Sequence, residues 1–383
     1  MIQLEGLHYK TREPVKITVK NGYITAVEKH TGTPENSIAP GLVDLQVNGF
    51  KGIDFNEDGL TVEDVFEVTE QLWKVGITTY FPTLITNSDE HIQATLKVIN
   101  EACQQNELVN KTIQGIHLEG PFLSKKNGPR GAHPLEHIKA PDWNLFSKWQ
   151  DVADGRIKMI TLSPEWENAA QFIQKCTTWG VLVAIGHTAA TSLQIDEAVK
   201  AGAKISTHLG NATHLELPRH HNYIWDQLAA EGLWASLIAD GFHLPENVLK
   251  VFLKQKHGKC ILVSDCTKFA GLTAGKYTTH IGGEVELSDS GRLFIKDNPQ
   301  MLAGSAQSLT WCIDHLVNTG ITTFSEAIDM ASFKPLSFIN NKSIKDFQIG
   351  EPADFILFKS EKDKMKILQT IKTGEDLSNL FDF

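Results

Sequence analysis

The chain has 383 residues, 41% hydrophobic and 21% charged, which suits one large core with a small appended module and excludes a disordered or low-complexity polypeptide. Its formal charge of −10 argues against nucleic acid or an anionic membrane surface as a partner, because both require concentrated Lys and Arg; an anionic substrate must be met by local cations. No run of 18 apolar residues occurs, and Met1-Ile2-Gln3-Leu4-Glu5 lacks the basic and apolar regions of a secretory signal, so a cytoplasmic location is expected.

Residues 1–40 read as a small β module, with strands expected over 3–7, 15–20 and 23–28 and a hairpin at Asn21-Gly22. From Pro40 the rhythm changes. Apolar strands over 42–47, 78–84, 112–118, 157–162, 181–185, 204–207, 235–239 and 260–264 alternate with amphipathic segments over 62–74, 89–104, 167–179, 193–201 and 247–256. Several of these segments end at Gly76, Gly180 or Gly202, as a left-handed helix cap requires. Eight βα units predict an α/β fold, a TIM-type (β/α)8 barrel, with the active site on the loops at the C-terminal strand ends.

After the eighth strand, 276–281 and 284–287 read as a hairpin over Gly282-Gly283, and 292–296 as a further strand. Helices are expected over 308–317 and 325–332, then strands over 355–359 and 365–371. The strands at the two ends of the chain should pair into one discontinuous β-sandwich. The expected domains are therefore 1–40 with 345–383, and a catalytic barrel over 41–344. Five cysteines (Cys103, Cys176, Cys260, Cys266, Cys312), odd in number and with no CxxC, predict buried free thiols rather than disulfides or a thiolate zinc site.

The chemistry lies at the predicted strand ends. Glu119, in His117-Leu118-Glu119-Gly120-Pro121, closes the third strand, His187 the fifth, His208 the sixth and Asp265 the eighth. A carboxylate followed at once by Gly-Pro sits where the chain must leave the sheet. A simpler role for Glu119 is to cap the next segment or pair with Lys125, and a single strand-end His is commonly structural. Four such residues on four strands converge on one barrel mouth. Two neutral imidazoles and a carboxylate suit Zn²⁺ or a similar divalent ion with a position left for water. Asp265 can then take the proton of the attacking water and deliver it to a leaving amine.

These motifs, with Pro40-Gly41-Leu42-Val43-Asp44-Leu45-Gln46-Val47-Asn48-Gly49, Pro82-Thr83-Leu84-Ile85-Thr86, Asn211-Ala212 and Ala239-Asp240-Gly241-Phe242-His243, resemble the N-acetylglucosamine-6-phosphate deacetylase family of the amidohydrolase superfamily across nearly the whole chain. The resemblance implies one divalent metal ion, Zn²⁺ first, on Glu119, His187 and His208, with Asp265 as general base and acid. It places His133 and His243 on the sugar, Asn211 and Ala212 at its phosphate end, and Arg219 on the phosphate. It also implies a homodimer. Where many amidohydrolases carry His-x-His on strand one, this chain has Gln46-Val47-Asn48, which points to the single-metal branch with Gln46 beside the site rather than in a second one.

The chain departs from the family at Arg219-His220-His221-Asn222, where Arg-Glu-Pro-Gly is usual, and at Thr213 after Asn211-Ala212. The segment 214–227 is thus where a substrate tail would be read differently. The expected reaction is metal-dependent release of acetate from an N-acetyl amino-sugar 6-phosphate. Two alternatives stand beside it: an amidohydrolase for an unphosphorylated or differently acylated amine, and a non-catalytic sugar-binding protein on the same barrel.

Overall fold

The computed structural model describes residues 1–279 and 283–380, with side chains as far as Ser378. It begins with β1 (Ile2–His8), β2 (Pro14–Lys20), β3 (Tyr23–Lys29) and β4 (Ser37–Pro40). Asn21 and Gly22 both take positive φ, 53° and 81°, the paired left-handed residues of the hairpin that Asn-Gly predicts.

The barrel follows: β5 (Leu42–Val47), a short ribbon of β6 (Gly49–Phe50) and β7 (Ile53–Asp54), then β8 (Ile77–Ile85), β9 (Ile116–Glu119), β10 (Ile157–Leu162), β11 (Leu182–Ile185), β12 (Ile205–Ser206), β13 (Trp234–Leu237) and β14 (Cys260–Leu262). β5 and β8 to β14 form one eight-stranded sheet in sequence order, every neighbouring pair parallel. The sheet closes where Asn48 and Gly49 both donate their N–H to the Cys266 carbonyl (2.9 and 3.2 Å). At this seam Ser264 N–H reaches the buried Asp44 carboxylate, whose acidity burial weakens to about 7.

Between the strands run α1 (Val62–Lys74), α2 (Asp89–Gln105), α3 (Glu107–Thr112), α4 (Trp143–Val152), α5 (Ala169–Thr178), α6 (Ser192–Ala201), α7 (Tyr223–Ala229) and α8 (Glu246–Gln255). The third barrel strand starts later than the apolar run suggests. Asn106 accepts from Leu108 and Val109 N–H (3.0 and 3.2 Å) and starts a helix that takes in Thr112, so the strand is confined to Ile116–Glu119. Asp142 and Asn222 cap α4 and α7 in the same way, and neither helix was expected.

An inserted antiparallel sheet follows, β15 (Gly275–Thr278), β16 (Glu284–Leu287), β17 (Leu293–Ile295) and β18 (Asn298–Leu302), with its own core around Phe269, Val285 and Leu293. His280, Ile281 and Gly282 of the predicted hairpin lie outside the described residues. Then come α9 (Leu309–Asn318), α10 (Phe324–Met330) and α11 (Phe333–Asn340). The helix expected to run to Ser332 ends at Met330, and α11 restarts after Ser332 with Pro335 in its first turn, where a missing N–H costs nothing. Phe338, Leu336 and Ile339 of α11 pack with the barrel-interior residues Val43, Phe81, Met159 and Ile261 and with Leu182 and Trp234 at strand starts. α11 therefore plugs the N-terminal end of the barrel and leaves the C-terminal mouth free.

The chain closes with β19 (Phe355–Glu361), β20 (Lys364–Lys372) and β21 (Glu375–Asp376). The expected halves meet through parallel β1–β4 and antiparallel β4–β19 pairing, in a single seven-stranded sheet ordered β21-β20-β19-β4-β1-β2-β3. Ile17, Val19 and Ile24 from one half share a core with Phe355, Leu357 and Ile371 from the other. The buried Lys372 ties this sheet to the barrel through Asp354 (2.7 Å) and Thr79 of β8 (3.3 Å).

Lys256, 3% exposed, donates to the carbonyls of Gln227, Ala230 and Leu233 (2.6, 3.1 and 3.1 Å), so that one ammonium serves the end of α7 and the turn into β13. Lys256→Met would take this donor from all three carbonyls, of which Ala230 keeps the Leu233 N–H, and a loss of roughly 2–4 kcal/mol is expected. A urea midpoint equal to that of the wild type would show that these bonds add nothing net.

Candidate metal centre

Four strand ends supply the cluster, and three of its residues leave their strands in an unusual way. His187, His208 and Asp265 have φ of 48°, 28° and 48°, the left-handed region that a side chain with a Cβ disfavours. Each such residue costs about 1 kcal/mol or more and turns the chain out of the sheet within one step, leaving its side chain over the mouth. After Glu119 the turn is made by Gly120 (φ 94°), where a Cβ would stand 2.2 Å from the Thr86 hydroxyl. Glycine is required there.

Glu119, His187 and His208 meet at one point. Glu119 Oε1 lies 3.2 Å from His187 Nε2 and 3.1 Å from His208 Nε2, and the two nitrogens are 3.2 Å apart. Ligands about 2.1 Å from a tetrahedral ion would be about 3.4 Å from one another, close to this triangle. All three residues are buried. Burial, the strongest influence on Glu119, pushes its carboxyl up, but hydrogen bonds and charge from both histidines prevail and hold it well below the usual range. His208 is held up by the same pairing against its own burial.

The residues fit a divalent cation. His187 donates its Nδ1–H to the Pro129 carbonyl (3.0 Å), which leaves Nε2 turned toward the cluster as the nitrogen a ligating imidazole would present. His208 Nδ1 is buried without a protein partner. A second grouping, Glu119 with His133 and His187, also brings three donor atoms within 4.8 Å. The hydrogen bonds decide between the two. Thr86 N–H donates to His133 Nδ1 (3.4 Å), with the Thr86 hydroxyl at 2.9 Å, so the His133 proton sits on Nε2. Burial holds His133 neutral, its pKa down to about 3, so it offers a hydrogen-bond donor rather than a lone pair.

Gln46 and Asn48, two apart and so on one side of the chain at the end of β5, each serve a carboxylate. Gln46 Nε2 donates to Glu119 Oε1 (3.0 Å) and Asn48 Nδ2 to Asp265 Oδ1 (2.7 Å). Asn48 was missed as a site residue, although its place two beyond Gln46 was the available signal. Burial, then the charge on Glu119, pushes Asp265 up to about 6, in the range useful to a group that both takes and gives a proton. His243 is oriented by Asp240, also missed: its Nδ1 bonds Asp240 Oδ2 (2.7 Å), while Oδ1 takes the N–H groups of Phe242 and His243. Asp265 lies within the electrostatic reach of His243.

The remaining predicted residues lie on the loop after β12. Asn211 Nδ2 donates to the His208 carbonyl (3.1 Å), and Ala212 (φ 48°) turns toward the loop after β9, where a Cβ on Gly131 would stand 3.2 Å from the His187 ring and 3.9 Å from Ala212. The altered stretch is stapled at both ends, His214 to the Tyr223 hydroxyl (2.9 Å) and Asn222 Nδ2 to the Pro218 carbonyl (3.0 Å). Arg219 is exposed on it, with no hydrogen bond or ion pair among the described residues.

A closed parallel barrel with two imidazoles and a carboxylate sharing one centre at its C-terminal mouth is the architecture of a metal-dependent barrel hydrolase. The amidohydrolase family model matches residues 37–377, and the chain belongs to that family. It is 31% identical over 356 residues to the N-acetylglucosamine-6-phosphate deacetylase of Bacillus subtilis (90% of this chain, 86% of that protein) and 30% identical over 358 residues to that of Danio rerio (89% and 84%). Among solved structures, the N-acetylglucosamine-6-phosphate deacetylases of Pasteurella multocida and Thermotoga maritima superpose with TM-scores of 0.85 and 0.84, each at 26% identity, over 98% of this chain and 99% of theirs.

The two groupings make different predictions. His187→Ala and His208→Ala should each weaken Zn²⁺ binding by at least roughly 100-fold, whereas His133→Ala should keep a full complement of metal. Elemental analysis after dialysis against a chelator of graded strength checks this, and metal loss in His133→Ala with retention in His208→Ala would reverse the assignment.

Proposed function

We propose that the protein hydrolyses the acetamide of N-acetylglucosamine 6-phosphate to glucosamine 6-phosphate and acetate, using one divalent ion held by Glu119, His187 and His208. The observation that carries this reading is the triangle of donor atoms with Asp265 tethered beside it, in a chain about 30% identical to deacetylases over most of its length. When bound, the ion, Zn²⁺ by its donor set, supplies an acidified water and polarises the acetamide carbonyl.

Asp265 takes the proton of the attacking water on its free oxygen, the other being occupied by Asn48, and passes it to the departing nitrogen. His133 directs Nε2–H at the oxygen that gains charge as the carbon becomes tetrahedral. With Nδ1 engaged by Asp240, His243 offers Nε2 to a sugar hydroxyl, and Asn211 and Ala212 line the tail of the substrate. The loops after β9 and β12 close over each other at Gly131 and Ala212 and limit access of water. No helix among the described residues is long and apolar enough to cross a membrane, and we read the enzyme as a cytoplasmic homodimer with its terminal sheet, 1–40 and 345–383, set on the 41–344 barrel.

Asp265→Asn should lower kcat by roughly 10²–10⁴-fold while the metal content stays at the wild-type level. Acetate release near the wild-type rate would sink the mechanism.

A second reading, hydrolysis of an unphosphorylated or differently acylated amine, is favoured by the exposure of Arg219 on its stapled loop. The two separate in one experiment. If the phosphate is recognised, kcat/KM for N-acetylglucosamine 6-phosphate exceeds that for N-acetylglucosamine, and Arg219→Ala removes roughly 10-fold or more of the advantage, chiefly through KM. Equal turnover of both sugars, unchanged in Arg219→Ala, would establish the second reading.

A further inference from the structure

At the end of the barrel opposite the metal centre lies a cavity of about 500 Å³, where the β1–β2 turn, α10, α11 and the start of β13 come together. Four lysines line it, Lys10, Lys334, Lys342 and Lys345, against Asp329 as the one lining acid. This is a local excess of positive charge on a chain whose net charge is −10.

Two of the four are already engaged. Lys10 bonds Asp329 (3.1 Å) and the Lys345 carbonyl (2.5 Å), and Lys342 pairs with Glu351. Asp329 is further occupied by the Tyr9 hydroxyl at 2.6 Å. The ammonium groups of Lys334 and Lys345 are left with no hydrogen bond or ion pair among the described residues. Lys334 is partly buried, and burial lowers the pKa of its ammonium, a cost that an anion in the cavity would offset. The aromatic wall is Trp234, half-buried at the first residue of β13; Phe333, at the first residue of α11, lies beneath it, 6% exposed with the Lys10 ammonium over its ring.

We propose that this cavity binds a phosphorylated small molecule of sugar-phosphate to mononucleotide size, with Lys334 and Lys345 on the phosphate and the body of the ligand on Trp234. Its volume lies in the range of small-molecule sites, and a few placed cations on an apolar wall are their usual make-up. Lysine suits a phosphate monoester, a compact dianion that needs charge more than a planar fork. A ligand there would bridge the terminal sheet at Lys10, the plug helix α11 and a barrel strand, so its binding should also raise the melting temperature.

The test is calorimetric titration of the metal-loaded enzyme at low salt with glucosamine 6-phosphate, adenosine 5′-monophosphate and inorganic phosphate. Wild type is compared with Lys334→Met/Lys345→Met and with Arg219→Ala, which alters the other end of the molecule. The expected result is that at least one probe binds the double-lysine variant at least 10-fold more weakly than wild type, and binds Arg219→Ala as tightly as wild type. Preference for the nucleotide would assign the wall to a stacked base; preference for the amino-sugar phosphate would assign it to a sugar. If no probe binds wild type at about 1 mM, or every probe binds all three proteins alike, the proposal is overturned. Neither lysine belongs to the catalytic machinery, so an unchanged kcat/KM reports that the variant is folded. Should the double variant fail that control, the exposed Lys345→Glu alone must give the affinity loss.

Discussion

One carboxylate oxygen holds the mouth of this barrel together. Glu119 Oε1 is shared by the Gln46 amide, His187 and His208, at 3.0, 3.2 and 3.1 Å, and so gathers the ends of β5, β9, β11 and β12 on a single atom. Such a centre is tolerable in a buried site only when the charge is answered. The protein answers it with groups from separate strands, one of which, His187, is held in turn by the Pro129 carbonyl. The rest of the fold can be read as the apparatus that brings these strand ends into register: eight parallel strands closed at Cys266, and a helix plugging the far end so that the mouth alone stays free.

That apparatus was largely legible in the sequence because it rests on long apolar runs. Strands buried on both faces, such as Ile157–Leu162, read as continuous β-rich segments, and amphipathic helices such as Val62–Lys74 announce themselves by period. The errors have a common physical source. α3, α4 and α7 are initiated by a single capping Asn or Asp, and α3 and α7 are only six and seven residues long, too short for a periodic signal. α11 was lost because Pro335, which looks like a terminator, sits in the first turn where proline is tolerated.

For the site, the residues that bear the chemistry were readable and those that only orient them were not. Glu119, His187, His208 and Asp265 stand at strand ends, where barrel topology alone forces them together. Asn48, Asp240 and Thr86 act through hydrogen bonds to other site residues, and only Asn48, two beyond Gln46, had a spacing that could reveal it. The left-handed backbone of His187, His208 and Asp265 was equally hidden, since Gly, Asn or Asp is the ordinary sign of such a turn and two of the three are histidines. Strain accepted at three chemically apt residues is a feature of functional sites, where side-chain direction outweighs local stability.

Charge bookkeeping explains why carboxamides stand on the first barrel strand. Glu119 is buried and Asp265 half-buried, and the charge on Glu119 is part of what pushes Asp265 up. A divalent ion on the triangle would answer the charge of these two carboxylates; the third at the mouth, Asp240, is taken up by His243 and the N–H groups of Phe242 and His243. Imidazoles at positions 46 and 48 would offer further metal ligands. Gln46 and Asn48 instead contribute one N–H each, donors without net charge, which order the two carboxylates and leave their charge for a cation to answer.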